Sequence, residues 1–552
     1  DHWRKERPMS AYVLQSADAA VSEWMTTLGE KAVARDPGTL DKYARTTQAE
    51  ATRPCCILYP ETTEDVQAIV EIASDHGVPV YPISCGKNWG YGDACAPSGG
   101  AAILDLGRMN RILEVNRELA YCVVEPGVTQ GQLFDYLQDN DTGLWMDASA
   151  AGPDSSLVGN TVERGFGHTR YGDHFRNCCG MEIVLADGRV LNTGFGHFPN
   201  AKATHVYPYG VGPYLDGLFT QSNYGIVTKM GLWLMPEPEA FNFFFFQAPR
   251  FEDLEELVDR IRPLRMAGTL DTAIHIGNDF RVLAGSGKYP WDLAKGVVPL
   301  PPELRQQLRE QSGAQAWQGS GSITGTKARV RAARKALRKA LRGCASRLVF
   351  LDDRKIRSLE WTCTALNAVG LGKKLARAMK ILRPNYDLLK GVPTIEAVMG
   401  TYWRLRKPPD VPGELLDSGC GLYWVSPVIP MKGSEAIALL NLAEPIFEEH
   451  GFDMLVSLNL LTERCLVGVF NVTFDKSLPG EAERASACYE ALVDAMMARG
   501  YNLYRAGLQG MPKMREEPSV FWEVAAEIKR ALDPKDIISR GRYNPPLQDR
   551  PR

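Results

Sequence analysis

The 552-residue sequence has no apolar run of the ~18 residues that a membrane-spanning helix needs. It also lacks any CxxC pair, internal repeat or long low-complexity tract, and no histidine falls between His275 and His450. Charge of one sign is missing too: 63 basic residues against 66 acidic ones leave a net charge of -3. No global field therefore draws the chain to nucleic acid or to an anionic membrane, and a small molecule or a protein is the expected partner. The twelve cysteines include the adjacent pairs Cys55-Cys56 and Cys178-Cys179 and do not resemble a small secreted disulfide framework. A reducing compartment, hence a cytoplasmic location, fits best. The chain begins at Asp1 rather than methionine, which leaves a removed leader or tag open.

What is present is enough for two cores, and the length suggests roughly two to four domains. ETTEDVQAIVEIASDHG has a threonine cap, acidic residues in its first turn, helical apolar spacing and a closing glycine, so it predicts a helix. VPVYPIS, AAILDLG, AYCVVEPG and GMEIVLADGRVLNTG are short β-rich runs closed by turn residues, and with the helix they describe an α+β lobe. After the proline-bearing LMPEPEA the pattern restarts with FNFFFFQAP and the acidic helix FEDLEELVDRIRPLR, which places a domain boundary near residue 237. The basic stretch at 327 to 347 has Val, Ala and Leu at helical spacing. It reads as a solvated amphipathic helix or as a docking face for an acidic partner.

Three glycine-rich segments crowd the first lobe. In PVYPISCGKNWGYGDACAP, residues 79 to 97, the turn from Ser84 to Tyr91 follows a strand, and its bare backbone can converge on phosphate oxygens. It matches neither GxGxxG nor GxxxxGKS, so alone it also reads as a plain turn. SSLVGNTVERGFGHTRYGDH and QSNYGIVTKMGLWLMP keep alternating apolar residues within polar, glycine-rich surroundings, as backbone lying along a large flat polar ligand would. Three such segments imply an extended cofactor.

SCGKNWGYG, ILDLGRMNRILEVNRELAYCVVEPGVT, LVGNTVERGFGHTRYGDH, YPYGVGPYLDGLFTQSNYGIVTKMGLWLMP and LDPKDIISRGR occur in order between about residues 55 and 545. Together they resemble the vanillyl-alcohol oxidase and p-cresol methylhydroxylase family of FAD enzymes. The resemblance implies an α+β, two-lobed protein: a PCMH-type FAD-binding domain from residues 1–236 completed by 515–552, and a cap domain, 237–514, carrying an antiparallel sheet flanked by helices. It places the cofactor against Ser84, Cys85, Gly86, Lys87, Asn88 and Gly90. From the second segment it adds Ser156, Gly159, Asn160, Glu163, Arg164, Gly165, Tyr171, Gly172 and His174, with Gly225, Ile226 and Arg542 later.

In the resembling family a tyrosine of the first glycine segment and a late Tyr-Arg pair bind the phenolic oxygen of the substrate; Tyr91, Tyr504 and Arg505 match here. The ordinary reading of each is a packed ring or a surface guanidinium. The family's chemistry needs the trio, because hydride leaves a carbon para to a phenol readily only when the ring oxygen is anionic. An arginine with two phenolic donors favours that phenolate.

Two departures stand out. The family's cap histidine that attaches FAD is replaced by Leu422, just before Ser426-Pro427. Its neighbour Tyr423 belongs to the opposite face of the strand, so a non-covalent FAD is expected, with attachment at Tyr423 or Cys465 left open. The oxidase-type aspartate nine residues before Asn160 is Ala151, and Asp147 or Asp154 stands in as acid/base if the loop MDASAAGPDSS is longer; as an alternative both merely cap turns. His168 and His174, six residues apart with no acidic cluster, make a poor metal site, and no metal is expected. Cys85 and Cys465 read more readily as small buried hydrophobes than as nucleophiles.

The resulting expectation is flavin-dependent oxidation of a para-substituted phenol at its benzylic carbon through a quinone methide, with O2 as acceptor. A dehydrogenase passing electrons to a cytochrome is the second reading, and a flavin-binding protein with altered chemistry the third. The family also implies a homodimer or larger homo-oligomer.

Overall fold

The computed structural model describes residues 11–368 and 371–547. Its N-terminal sheet has four strands, with Cys56–Leu58 and Val80–Ile83 parallel to Ala102–Asp105 between them and Val33–Ala34 antiparallel at one edge. The helix Thr63–His76 makes the crossover. Thr62 accepts from the Asp65 N–H while the Asp65 side chain accepts from the Thr62 backbone, and Gly77 at φ 67 ends the helix in the left-handed region. Val66, Ile69, Val70 and Ala73 then fall on one face and bury against the sheet.

A second sheet of five antiparallel strands runs Ile112–Asn116, Tyr121–Val124, Ile226–Trp233, Cys178–Val184, Val190–Asn192 in spatial order. Cys122, Val124, Met181, Ile183 and Met230 fill its own core, while Val184 and Ile226 join the core of the first sheet. The two sheets thus form one lobe.

We place the division of lobes between Pro236 and Ala240, where the cap sheet begins. That sheet is antiparallel throughout, in the order Arg347–Leu351, Ala240–Ala248, Trp317–Gly325, Ile274–Asn278, Leu455–Leu460, Cys465–Asp475, Cys420–Val425, with Val428–Pro430 also paired to Cys465–Asp475. Helices Asp253–Met266, Lys327–Ala340, Gly433–Glu449 and Glu481–Ala498 share one hydrophobic core with this sheet. The basic stretch belongs to that layer: Val330, Ala333 and Leu337 are buried in it. Because strand side chains alternate, residues between the core positions face the other way. Ile274, Ile276, Val456, Leu458 and Leu460 enter the helix-covered core, whereas His275, Ser457 and Asn459 line a cavity.

After the cap the chain returns to the first lobe through the helix Val520–Leu532. Ile538 bridges Val80, and Ile537 and Ile538 pack in the core of the first sheet. This return is pinned by the buried Lys529 ammonium, which donates to Asp533 Oδ2 (2.5 Å), the Asn223 carbonyl (2.6 Å) and the Ile538 carbonyl (2.9 Å), with Asp536 3.5 Å away. Lys529→Met would leave the buried Asp533 carboxylate without its cation and Asp536 with Arg540 alone. We expect a loss of about 3–5 kcal/mol, read as a lower midpoint in chemical denaturation.

Candidate active site

Between the lobes lies a cavity of about 370 Å³. One wall is the turn that follows strand Val80–Ile83. Among the described residues the backbone N–H groups of Cys85, Gly86, Lys87 and Asn88 donate to no protein acceptor, although the segment lines the cavity. Buried amides are nearly always paired, so a row of free donors at a cavity wall fits an anionic ligand, and Gly86 at φ 66 gives the turn its concave shape. Close approach is needed elsewhere on the wall: a Cβ on Gly159 would lie 2.3 Å from Ser84 Oγ, and one on Gly225 2.5 Å from Ile183. Ser149 Oγ is buried without a partner on the same cavity. These features fit the diphosphate and flat ring system of FAD. Lys87 also lines the cavity, but its ammonium is paired with Glu414. Burial pushes the Cys85 thiol up to about 12, so it stays protonated and is no nucleophile.

Three distant chain segments meet at Glu163. Its carboxylate takes an ion pair from Arg542, another from Arg505 Nε at 3.3 Å, and a hydrogen bond from the Tyr543 hydroxyl at 3.0 Å. Burial alone would raise the Glu163 carboxyl, but the Arg542 and Arg505 charges prevail and hold it below its ordinary value. Burial likewise works against the Arg505 charge, and Glu163 more than offsets it. Two guanidiniums against one carboxylate leave a net positive charge on the cavity wall.

Arg505 reaches Asn88 Oδ1 and lies 4.3 Å from the Tyr91 ring centroid. Tyr91 Oη is 3.2 Å from Ser426 Oγ, and the Tyr504 N–H donates to the Ser426 carbonyl at 3.0 Å. Tyr91 and Tyr504, from opposite ends of the sequence, thus meet at Ser426, with Arg505 against the Tyr91 ring on the same cavity. Burial, then the neighbouring Tyr504, pushes Tyr91 well above its ordinary value; burial also raises Tyr504. At neutral pH both phenols therefore remain O–H donors beside a cation.

Ser84, Cys85, Gly86, Lys87, Asn88, Ser156, Gly159, Asn160, Glu163, Gly165, Gly225, Ile226 and Arg542 line the same cavity. Other expected residues do not. Gly90 at φ 75 packs beneath Trp424, and Arg164 turns away to Thr220 Oγ1 at 3.0 Å. Tyr171 and Gly172 belong to a turn closed by Gly167 N–H on the Gly172 carbonyl. His174 bridges Asp147 Oδ2 (2.5 Å) and Asn160 Oδ1 (2.6 Å) behind the cavity wall.

Neither carboxylate expected as acid/base faces the cavity. Asp147 Oδ1 accepts the backbone N–H groups of His168 (3.2 Å) and Thr169 (2.6 Å). Burial would raise its carboxyl, but His174 and Thr169 hold it below the usual value, so Asp147 braces the loop. Asp154 is exposed on a turn. Ala151 does line the cavity, as does Glu163, expected at the cofactor but found in the ion-paired knot, and one carboxylate not anticipated from the sequence, Asp93, whose burial raises it to about 6 while Thr46 and Thr47 donate to one oxygen. Sequence reasoning also missed Ser426, His275 and Arg281. His275 sits between two isoleucines in a strand, a signal of period two; Arg281 carries no local signal.

Neither alternative flavin attachment point lines the cavity. Tyr423 accepts the Ala49 N–H at 2.9 Å and packs with Phe474 and Tyr489 in the cap core, while its neighbour Leu422 packs beside Trp89 on the other face. Cys465 Sγ lies 3.1 Å from Thr462 Oγ1.

A family model for an FAD binding domain matches residues 54–194. The hydroxylating 4-cresol dehydrogenase flavoprotein subunit of Pseudomonas putida is 31% identical over 534 residues, 95% of this chain and 94% of that protein. The chain belongs to the vanillyl-alcohol oxidase and p-cresol methylhydroxylase family. The crystal structure of p-cresol methylhydroxylase with substrate bound superposes with a TM-score of 0.87 at 30% identity, covering 97% and 98% of the two chains. Also similar is the 1'-carboxy-chondrochloren decarboxylase of Chondromyces crocatus, 37% identical over 531 residues, 96% of this chain and 98% of that protein. The protein is accordingly an FAD-dependent oxidoreductase of the phenol-oxidising type. Since neither Tyr423 nor Cys465 reaches the cavity, acid precipitation of the yellow holoenzyme is expected to release all flavin into the supernatant; colour retained in the pellet would contradict this.

Proposed function

We propose that the protein oxidises a para-substituted phenol by removing hydride from the benzylic carbon, through a quinone methide, with O2 as final acceptor. The observation that carries this reading is the meeting of Tyr91 and Tyr504 at Ser426, with Arg505 against the Tyr91 ring, on the same cavity as the free amides of residues 85–88. FAD supplies a two-electron hydride acceptor there when bound. Tyr91 and Tyr504 donate to the phenolic oxygen, and Arg505 supplies the positive charge that lowers its pKa. The excess charge of the Glu163 knot is balanced once the phenolate is in place. Negative charge pushed through the ring then makes hydride loss lead to a neutral quinone methide.

That intermediate has three exits. Water addition gives an alcohol and proton loss an alkene, and both call on an acid or base. Loss of CO2 from a carboxylate on the carbon next to the benzylic one calls on neither. The C–C bond pair becomes the new double bond, and the ring regains its phenolate. Ala151 and the outward placement of Asp147 and Asp154 favour the third exit, and a relative at 37% identity is named a decarboxylase.

A second reading concerns the acceptor. The Pseudomonas putida relative is named a dehydrogenase, and an electron-carrier protein in place of O2 would give turnover with an artificial acceptor but negligible peroxide.

The reading is tested by anaerobic mixing of the holoenzyme with 4-alkylphenols, in which at least one phenol should bleach the flavin. Charge-assisted hydrogen bonds contribute roughly 1.5–3 kcal/mol each, so Arg505→Met should slow flavin reduction roughly ten- to a hundredfold or more. An unchanged stopped-flow reduction rate would remove Arg505 from the site.

A further inference from the structure

Arg281 lies in the first turn of the helix Asp279–Ser286, directly after the cap strand Ile274–Asn278, and its side chain lines the cavity. Among the described residues no carboxylate pairs with it and no acceptor takes a hydrogen bond from its guanidinium. The nearby Asp279 carboxylate is committed to Arg305 at 2.7 and 2.8 Å. Burial alone draws the Arg281 pKa down to about 10, with no anion to counter it. A partly buried charge without a partner is uncommon in a folded protein. Here it opens onto the same cavity as the phenol-binding trio.

The surroundings are polar and neutral. His275 Nε2 is buried without a partner of good geometry, and burial together with His168, stacked on it at 4.2 Å, keeps the imidazole uncharged. Ser457 and Thr401 add hydroxyls to the lining. The site therefore offers one unbalanced positive charge. A carboxylate matches that charge and the planar guanidinium fork, whereas a phosphate dianion would leave excess negative charge in the cavity.

The cap sheet sets the span. Val425 pairs with Phe470, Val469 with Ser457, and Ser457 with Gly277, so Ser426 and the start of the Arg281 helix lie on one row across the sheet. Three strand spacings separate them, roughly 14 Å. A phenol ring with a short side chain, hydrogen-bonded at both ends, covers that distance.

We propose that Arg281, assisted by His275, is the subsite for a carboxylate on the side chain of the substrate, which makes the substrate class 4-hydroxyphenyl carboxylic acids rather than neutral alkylphenols. The assignment rests on the phenol-oxidation reading above and fixes the opposite end of the same ligand.

The test uses the FAD-bound enzyme and a matched pair already unsaturated at the benzylic carbon, 4-hydroxycinnamate and 4-propenylphenol. Dissociation constants come from perturbation of the flavin spectrum. The wild-type protein should bind the acid roughly ten- to a hundredfold more tightly, and Arg281→Gln should bring the ratio of affinities toward one. Equal or weaker binding of the acid by the wild-type protein would overturn the carboxylate subsite while leaving the phenol reading intact, and needs no variant. Failure of both ligands to bind would overturn both. A preference that survives in Arg281→Gln would remove Arg281 from the role.

Discussion

The buried ion-paired knot at Glu163 is the constraint on which the rest of the active site depends. Arg542 and Tyr543 arrive from the C-terminal segment, Arg505 from the end of the cap, and Glu163 from the loop that walls the cavity. A buried carboxylate with only one cation would still leave donors and charges to satisfy. With two cations it is fully compensated and carries one positive charge over, which is the charge an anionic ring oxygen needs. Stability and chemistry thus ask the same thing of the knot: both lobes must be in place before its charges balance.

The cap contributes by a simpler device. Its antiparallel strands send alternate side chains into the helix-covered core and toward the cavity, so Ile274, Ile276, Val456 and Leu458 hold the sheet while His275, Ser457 and Asn459 face the ligand space. Removing Asp147 from that space follows from the opposite lobe, where two backbone N–H groups and His174 claim its oxygens. The cavity is then left with Glu163 held in the knot, Asp93 held through one oxygen by Thr46 and Thr47, and a cation not engaged, Arg281.

Much of this was legible in the sequence. Thr62, Asp65 and Gly77 mark the helix Thr63–His76 because capping is a local hydrogen-bonding matter. The glycine turn at Ser84–Tyr91 is legible too, because the positive φ of Gly86 and Gly90 is a local property that glycine adopts without strain. Leu422 and Tyr423 fall on opposite faces of their strand for the same local reason, period two. The misplaced residues have the opposite character. Tyr171, Gly172 and His174 share a glycine-rich segment with Asn160 and Glu163, yet a turn closed between Gly167 and Gly172 carries them behind the wall.

The sequence by itself determined the local elements, the glycine turns and, through ordered motifs, the family and its cofactor. Each of these depends on contacts between residues close along the chain or on motifs quoted whole. Only the tertiary structure decided that Asp147 supports a loop, that Asp154 faces solvent, and that Arg281 reaches the cavity between the lobes without an anion. Those outcomes depend on which distant groups compete for each charge. A carboxylate is free for chemistry only if no donor from elsewhere in the chain has taken it, and a guanidinium is a binding site only if no carboxylate has reached it first.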